Sequence, residues 1–323
     1  MPSPANNQQI RGRFAPSPSG RMHLGNLFAA LLAWLDVRKQ NGIMIMRLED
    51  LDPDRSHLEY AQLLLDDLHW LGLDWDEGWR GEKDSRYMQS KRGALYESAL
   101  QHLKQQELIY SCYCSRGERL AASAPHPGEA GTASPCPCRY QNRAGEAPAG
   151  RAGALKIIAP EQQVSVEDKH YGIYAENLAQ ESGDFIIRRA DGVYAYQLAV
   201  SVDDADMGIN RVVRARDLLP SALRQKWLIE NLGATVPTYC HVPLLVAQDG
   251  RKLSKRDGDL SMEVLRQRFK SRQIIGLLAN LAGLLPEGEQ ASAQELISSF
   301  SWRQVPKEDI VINQGLLIQL NRT

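Results

Sequence analysis

A short apolar segment, a turn rich in proline and serine, and a long helix open the chain, and this order restricts its fold. Residues 10–15 are predicted as a strand, and Leu27 and Leu31 recur at helical spacing in a helix predicted over 26–40. A second strand, predicted over 43–47, is apolar until its last residue, as expected of a parallel sheet covered on both faces. We therefore predict an α/β fold with a doubly wound parallel sheet.

The turn between the first strand and the first helix is suited to holding phosphate. His23, Gly25 and Asn26 lie at the predicted helix start, where backbone N–H groups and the helix dipole favour anions. An imidazole can donate to phosphate oxygens, a glycine lets the backbone approach closely, and an asparagine can cap the helix or donate. This turn predicts a polyphosphate site.

A loop about 230 residues downstream adds mobile positive charge. Lys252, Ser254 and Lys255 stand between Gly250 and Gly258. A lysine is a flexible point charge that can follow a phosphate group as it leaves. We predict Lys255 as the phosphate clamp, with Lys252 and Ser254 supporting it; the competing interpretation is a solvated, charge-rich turn.

Composition limits the classes of protein. The 323 residues are 43% hydrophobic and 24% charged, which is ordinary for a soluble chain, and no apolar run approaches the ~20 residues that span a bilayer. Residues 1–9 are polar, without a signal peptide's apolar stretch, so we expect a disordered tail and a cytoplasmic protein without membrane contact. With a net charge of −1, a polyanion must bind local patches, of which 251–272 is the richest; it could equally be a solvated helix face.

Four of the five cysteines are clustered. Cys112 and Cys114 form one C-x-C pair, and Cys136 and Cys138 form another after 21 intervening residues. Four thiolates can close a tetrahedral zinc site and hold a loop that has no core of its own. We predict a structural zinc there, the alternative being four unpaired thiols, and we expect Cys240 to be a small buried apolar residue.

The remaining elements are predicted from periodicity and from turn residues. Helices are predicted over 56–73, 90–106 and 218–231, strands over 155–158, 185–188, 193–200, 210–213 and 242–246, and mainly helix over 260–323. The strands at 185–188 and 193–200 are expected to form a hairpin around 190–192. Residues 110–153, rich in Ala, Gly, Ser and Pro, are expected to be an irregular insertion.

Together these motifs resemble the HIGH and KMSKS signatures of the class I aminoacyl-tRNA synthetases. From about residue 11 to 290 the chain is similar to their glutamyl branch, and more closely to its shortened glutamyl-Q paralogues. The resemblance rests on the two signature segments, the segments 47–53, 184–199 and 214–225, and the cysteine insertion. Asn26 replaces a second histidine and Leu253 replaces a methionine. The resemblance implies a Rossmann-like catalytic domain with a zinc-bearing insertion and a helical C-terminal region.

The resemblance also implies a glutamate site. The matching amino-acid contacts are Arg13, Phe14, Ala15, Pro16, Ser17, Glu49, Tyr196 and Arg214, and the matching ATP contacts are His23, Gly25 and Lys255. Glu49 can take the α-ammonium, Arg13 and Arg214 can meet carboxylates in bidentate fashion, and Tyr196 can add a hydroxyl. An arginine at the side-chain end favours glutamate over glutamine, because a neutral amide would leave a buried charge unpaired.

Two metal questions stay open in the sequence. The relatives usually supply two cysteines, a tyrosine and a cysteine, or a C-x-C…C-x-H set, and this chain departs from both. Cys136 in place of the tyrosine therefore competes with Tyr140, Ser134 and His126, whereas Cys138 matches the last cysteine. The acidic run Asp203, Asp204 and Asp206 could bind a metal or could serve as turns and lysine partners. We expect one zinc per chain and magnesium that arrives with ATP.

The implied reaction is ATP-dependent activation of L-glutamate without tRNA, followed by transfer to the queuosine base in the anticodon of tRNA(Asp). The alternatives are a conventional synthetase that charges a tRNA 3′ end, and a non-catalytic paralogue that binds tRNA or nucleotide. We expect the 65 residues after Gly258 to leave no room for an anticodon-binding domain. The expected division of this monomer is a tail (1–9), two catalytic halves (10–109 and 181–259), a zinc-containing insertion (110–180) and a stem-contact-like helical region (260–323).

Overall fold

The structure is a computed structural model that describes residues 9–83, 85–114, 136–141, 152–253 and 260–312. Its strands are β1 (Arg11–Phe14), β2 (Ile43–Met46), β3 (Glu77–Gly78), β4 (Ile109–Cys112), β5 (Ala154–Ile157), β6 (Gln163–Asp168), β7 (Gly172–Asn177), β8 (Phe185–Arg188), β9 (Arg211–Ala215), β10 (Thr238–Val242), β11 (Leu245–Val246) and β12 (Ile310–Val311). Its helices are α1 (Leu24–Lys39), α2 (Leu58–Trp70), α3 (Gly93–Gln105), α4 (Cys138–Gln141), α5 (Leu178–Glu181), α6 (Tyr196–Asp206), α7 (Leu219–Asn231), α8 (Met262–Arg268), α9 (Ser271–Leu281) and α10 (Ala293–Leu296).

Parallel strands form the part of the fold that positions the site. β1, β2 and β3 pair in that order, and β9 pairs with β10. The two sheets are adjacent, because the Asn210 backbone N–H donates to the Arg11 carbonyl at 3.1 Å. The α/β class and the β-α-β opening are confirmed. The hydrogen bonds do not join these strands into one sheet, so a doubly wound arrangement stays a prediction.

The helix α1 lies at the centre of the largest apolar core. Ten of its 16 residues are buried, among them Leu24, Leu27, Phe28 and Leu31. It packs on β1, β2 and β9 on one side and on α9 and α10 on the other. A helix that is apolar around most of its circumference is a buried helix. Because α1 is held by this packing, the position of its first residue, Leu24, is fixed, and so is the position of the turn that contains His23.

The predicted strand over 193–200 is wrong. A helix, α6, begins at Tyr196, and only one isolated bridge, between Arg188 and Tyr194, remains of the expected hairpin. Leu198 and Val202, one helical turn apart, are buried in a core that includes residues of α3. Over a length as short as 193–200, a run of small apolar residues is compatible with the period of a strand and with that of a helix. Burial against neighbouring helices stabilises the helix.

Antiparallel strands occupy the middle of the chain. β4, β5 and β8 form one sheet, so the first residues of the segment predicted as an insertion, 110–112, are hydrogen-bonded to β5. Sequence reasoning missed the hairpin of β6 and β7, although Val164, Val166 and Asp168 alternate as its buried face. The described part of the predicted helical region 260–323 also contains one strand, β12, which pairs with β11.

Among the residues that the structure describes, no helix is long and apolar enough to cross a bilayer.

Candidate active site and metal centre

A cavity of about 530 Å³ opens where β1, β2, β9 and β10 end. Open α/β sheets bind their ligands at the carboxyl ends of the parallel strands, which is where this cavity lies. All the predicted substrate and catalytic residues that the structure describes line it: Arg13, Phe14, Ala15, Pro16, Ser17, His23, Gly25, Asn26, Glu49, Tyr196, Arg214 and Lys252. The other two, Ser254 and Lys255, lie outside the described residues.

His23 is the N-cap of α1, and its side chain is oriented by its neighbours. Its Nδ1 accepts a hydrogen bond from the Gly25 N–H at 3.2 Å, and Asn26 Oδ1 accepts from the His23 N–H at 3.2 Å. In a neutral imidazole, an accepting Nδ1 leaves the proton on Nε2, which is then a donor. A Cβ on residue 25 would lie 3.1 Å from the His23 ring, so a glycine suits this position.

The segment before the lysine loop lines the cavity, and the segment after the loop lies beside the start of α1. Lys252 forms a bridge with Val246 before the loop, and its Nζ lies 2.5 Å from Asp217 Oδ2. After the loop, Ser261 forms a bridge with His23. The two signature segments are therefore neighbours in space, although the chain separates them widely.

The acidic wall of the cavity is held by a buried arginine. Glu49 is about nine-tenths buried and accepts from Arg47 Nη2 at 3.2 Å. Burial raises the pKa of the Glu49 carboxyl, and the charges of Arg47 and Arg13 oppose this effect only in part. A carboxylate in this position can receive an ammonium group from the cavity.

The carboxylates of the acidic run on α6 form ion pairs with arginines. Asp204 accepts from Arg47 at 2.7 Å, and Arg92 donates to both Asp203 and Asp206 at 2.6 Å. The expected lysine partners are wrong, because arginines take their place. These carboxylates are not among the groupings of His, Cys, Asp and Glu that could hold a metal in the described part of the chain. These carboxylates hold Arg13, Arg47 and Arg92, which form an arginine layer beneath the cavity.

Arg214 is buried, and its guanidinium has three hydrogen-bond partners among the described residues. Its Nε–H donates to His241 Nε2 at 3.1 Å, Nη1 donates to Gln225 Oε1 at 2.8 Å, and Nη2 donates to the Leu218 carbonyl at 3.2 Å. Sequence reasoning missed His241 and Gln225. The contact with His241 arises from the register of β9 with β10, in which these two residues are opposite each other, and no local pattern shows that register.

Tyr196 lines the cavity from the first turn of α6 rather than from a strand. Its side chain is partly exposed, with 36% of its surface accessible. Burial nevertheless raises the pKa of its hydroxyl, so the group is a neutral donor at ordinary pH.

The four clustered cysteines meet in space. Their sulfur atoms all lie within 4.8 Å of one another, and three separations are 3.5, 3.7 and 3.5 Å. A tetrahedral ion with Zn–S bonds of about 2.3 Å needs sulfurs roughly 3.8 Å apart, so the set Cys112, Cys114, Cys136 and Cys138 fits. Tyr140 is 67% exposed, whereas Ser134 and His126 lie outside the described residues.

The cysteine cluster is attached to the antiparallel sheet. Cys112 is the last residue of β4, and two residues earlier Tyr110 donates its hydroxyl to Asp184 at 2.9 Å. Asp184 also accepts from the Ala159 N–H at 2.9 Å. A metal at the cluster would therefore fix the end of this sheet. Cys240 lies apart from the cluster, fully buried in the main core as expected.

Comparison with known proteins identifies the family. The family model for class I tRNA synthetases (E and Q), catalytic domain, matches residues 9–317. A glutamyl-Q tRNA(Asp) synthetase of Nitratidesulfovibrio vulgaris is 41% identical over 97% of this chain and 98% of its own length. The chain belongs to the glutamyl-Q family of class I tRNA synthetases. Another member of that family, from Symbiobacterium thermophilum, is 43% identical over 93% of this chain and 95% of its own length.

Longer relatives share only the matching part. Glutamate–tRNA ligase 2 of Acidithiobacillus ferrooxidans is 43% identical over 80% of this chain, which amounts to 55% of the ligase. The crystal structure of a glutamate tRNA ligase from Elizabethkingia meningosepticum superposes with a TM-score of 0.81 over 98% of this chain and 69% of its own, at 24% identity. That likeness establishes the class I synthetase fold. The chain therefore matches the glutamyl-Q synthetases over nearly their whole length, and it matches the glutamate–tRNA ligases over only part of theirs.

Proposed function

We propose that this protein activates L-glutamate with ATP in the absence of tRNA and transfers it to the queuosine base in the anticodon of tRNA(Asp). The observation that carries the activation step is that one cavity is lined both by His23 and Lys252 of the two signature segments and by Glu49 and Arg214. The transfer step is supported by the relatives named glutamyl-Q tRNA(Asp) synthetase, which match along nearly their whole length.

In the activation step, the α-carboxylate of glutamate attacks the α-phosphorus of ATP and pyrophosphate leaves. Negative charge grows on the phosphate oxygens, so donors aimed at them lower the barrier. His23 Nε2–H and the backbone N–H groups at the start of α1 are such donors. Lys255 follows the departing pyrophosphate, with Lys252 and Ser254 in support, and magnesium enters with ATP. Asn26 fixes the His23 backbone and acts through the helix start.

Selection of glutamate follows from opposite charges in one cavity. Glu49 takes the α-ammonium, while Arg13 and Arg214 face the side-chain carboxylate, and Tyr196 adds a hydroxyl. The backbone at 14–17, which begins with the last residue of β1, forms the floor on which the amino acid lies. A glutamine amide would leave a buried guanidinium without a counter-charge, which costs far more than one hydrogen bond.

We also propose that Cys112, Cys114, Cys136 and Cys138 hold one structural zinc ion. A metal bound by four thiolates has no open position for a substrate, so its contribution is to hold the segment together. We further propose that the protein is a cytoplasmic monomer with the division into domains predicted from the sequence.

The activation step is tested by glutamate-dependent exchange of pyrophosphate into ATP without tRNA. We expect exchange with glutamate and less than about a hundredth of that rate with glutamine. Exchange that strictly needs tRNA would favour a conventional glutamyl-tRNA synthetase, for which the 43% identity to a glutamate–tRNA ligase is the supporting observation. Absence of exchange under both conditions would favour a non-catalytic tRNA-binding or nucleotide-binding protein.

A further inference from the structure

We propose that Asp168 and His241 are positioning residues for Arg214, which they hold so that its remaining N–H groups face glutamate in the cavity. The inference rests on the proposed function, because it concerns recognition of the substrate carboxylate. It adds two residues from β6 and β10 that do not line the cavity.

The contact between His241 and Arg214 is set by strand pairing. The two residues lie opposite each other in the parallel pair of β9 and β10. Arg214 Nε–H donates to His241 Nε2 at 3.1 Å, and the imidazole is completely buried. A ring nitrogen can accept this bond only if it carries no proton. The function of Arg214 therefore depends on the tautomer of His241.

Asp168 determines that tautomer. Its Oδ2 lies 2.7 Å from His241 Nδ1 and accepts from the His241 backbone N–H at 3.0 Å. Its Oδ1 accepts from the backbone N–H groups of His170 and Tyr171 at 2.9 and 2.8 Å. These four contacts fix the carboxylate, so the His241 ring carries its proton on Nδ1 and presents a bare Nε2 to Arg214.

The electrostatic surroundings keep this ring neutral. Burial lowers the pKa of His241, and the charges of Arg214 and Arg13 lower it further, against the opposing effect of Asp168. Burial alone would raise the pKa of Asp168, but the hydrogen bonds from His241 and from two backbone N–H groups outweigh it and the pKa is lowered. An ionised Asp168 beside a neutral His241 is thus the stable arrangement.

The donors of Arg214 then divide into two groups. A guanidinium has five N–H donors, of which His241, Gln225 and the Leu218 carbonyl take one each. Two N–H donors are left on a side chain that lines the cavity. The bond at Nε, together with those at Nη1 and Nη2, fixes the plane of the guanidinium, and a planar fork pre-organised in this way suits a carboxylate. Loss of the anchor should weaken glutamate binding and leave ATP binding unchanged.

A matched pair of substitutions at one position tests this claim. In His241→Asn, the shorter amide can still donate to Asp168 but leaves nothing at the position of Nε2. In His241→Gln, the amide oxygen reaches the position of Nε2 and can accept from Arg214. Both variants lose the aromatic ring, and each keeps one of the two contacts of the imidazole: Asn keeps the contact with Asp168, and Gln keeps the contact with Arg214. Asp168→Asn adds a third variant, which removes the carboxylate that sets the tautomer and also weakens its bonds to the backbone N–H groups of His170, Tyr171 and His241.

The measurement is pyrophosphate exchange at varied glutamate and varied ATP, with thermal unfolding of each variant. We expect His241→Asn and Asp168→Asn to raise KM for glutamate about tenfold or more, as loss of a hydrogen bond to a charged group does, with KM for ATP within about twofold. His241→Gln should stay within about threefold of the wild type in both constants. Asp36→Asn, a buried carboxylate that accepts from Trp302 away from the cavity, is the control for lost stability alone.

Equal glutamate KM values for the Asn and Gln variants at position 241, or a parallel rise of both KM values, would overturn the proposal. If His241→Asn does not fold, Asp168→Asn decides, and an unchanged glutamate KM in that variant also overturns it. Failure of the wild type to support glutamate-dependent exchange would instead contradict the proposed function, so the two failures are distinguishable.

Discussion

The backbone N–H of Met262 donates a hydrogen bond to the carbonyl oxygen of Met22, with 2.9 Å between nitrogen and oxygen. Met22 directly precedes the N-cap His23, and Met262 is the first residue of α8, just after the lysine loop. Both methionines are buried. This bond holds the described segment that follows the lysine loop against the start of α1, directly beside His23.

Loss of the loop's second lysine should abolish activation without unfolding the protein. We predict that Lys255→Ala lowers the rate of pyrophosphate exchange about 100-fold or more, because a charge aimed at the leaving group is worth roughly 3 kcal/mol in the transition state. The midpoint of thermal unfolding should be unchanged. Lys104→Ala, at the end of α3, is the matched control. Exchange at the wild-type rate in Lys255→Ala would refute the clamp.

Glutamate binding should weaken in acid because of Glu49. An ionised Glu49 is needed for the substrate ammonium, and its pKa is raised by burial. As the pH falls through that raised pKa, the carboxyl is protonated and KM for glutamate should rise; above it, KM should be flat. We predict that Glu49→Gln raises KM for glutamate about tenfold or more at neutral pH.

The measurement for Glu49 is a pH series of KM for glutamate in the two proteins. The variant should show no rise of KM in the acidic range, since its amide does not titrate there. A pH profile in Glu49→Gln that matches the wild-type profile would mean that another group is responsible.

Metal content should depend on the four clustered cysteines and not on the fifth. We expect one zinc per chain in the wild type and loss of most of it in Cys112→Ser and in Cys136→Ser, because three thiolates no longer close the site. Cys240→Ala should keep its zinc. Elemental analysis of the purified proteins checks this. Full zinc in Cys136→Ser together with loss in Tyr140→Phe would assign the fourth ligand to the tyrosine.

The arginine layer under the cavity should be important for stability. Asp204 is buried between Arg47 and Arg13, with oxygen-to-nitrogen distances of 2.7 and 3.5 Å. Removing one partner from a buried ionic group costs about 3–5 kcal/mol, and we predict a loss of that size in the free energy of unfolding of Asp204→Asn. The exposed Asp66→Asn should change it by less than about 0.5 kcal/mol.

The pH dependence of this loss has a definite sign. Burial alone would raise the pKa of Asp204, but Arg47 and Arg13 outweigh it and the pKa is lowered. Its stabilising contribution is therefore complete above the ordinary carboxyl value near about 4 and declines as the pH falls through the lowered pKa. Urea unfolding of both proteins at several pH values should show their difference stay constant through mildly acidic pH and shrink in strong acid. A difference that already shrinks at mildly acidic pH, or that does not shrink in strong acid, would contradict the assignment.

The sequence predicts those parts of the fold and site that local patterns encode. The strand, turn and helix around His23 and the cysteine pairs are continuous segments, so periodicity and spacing are sufficient for them. The contacts of Arg214 with His241 and of Arg92 with Asp203 depend on strand register and helix packing between distant segments, which spacing does not show. The strand predicted over 193–200 is wrong because short apolar stretches satisfy both periods.

The central claim concerns the destination of the activated glutamate. The most direct measurement is the transfer of labelled glutamate to tRNA(Asp) prepared with and without queuosine, in each case with and without its terminal adenosine. We predict transfer to both queuosine-containing forms and less than about a hundredth as much to either form without queuosine. Transfer that survives the loss of queuosine but requires the terminal adenosine would contradict the account and assign the product to the tRNA 3′ end.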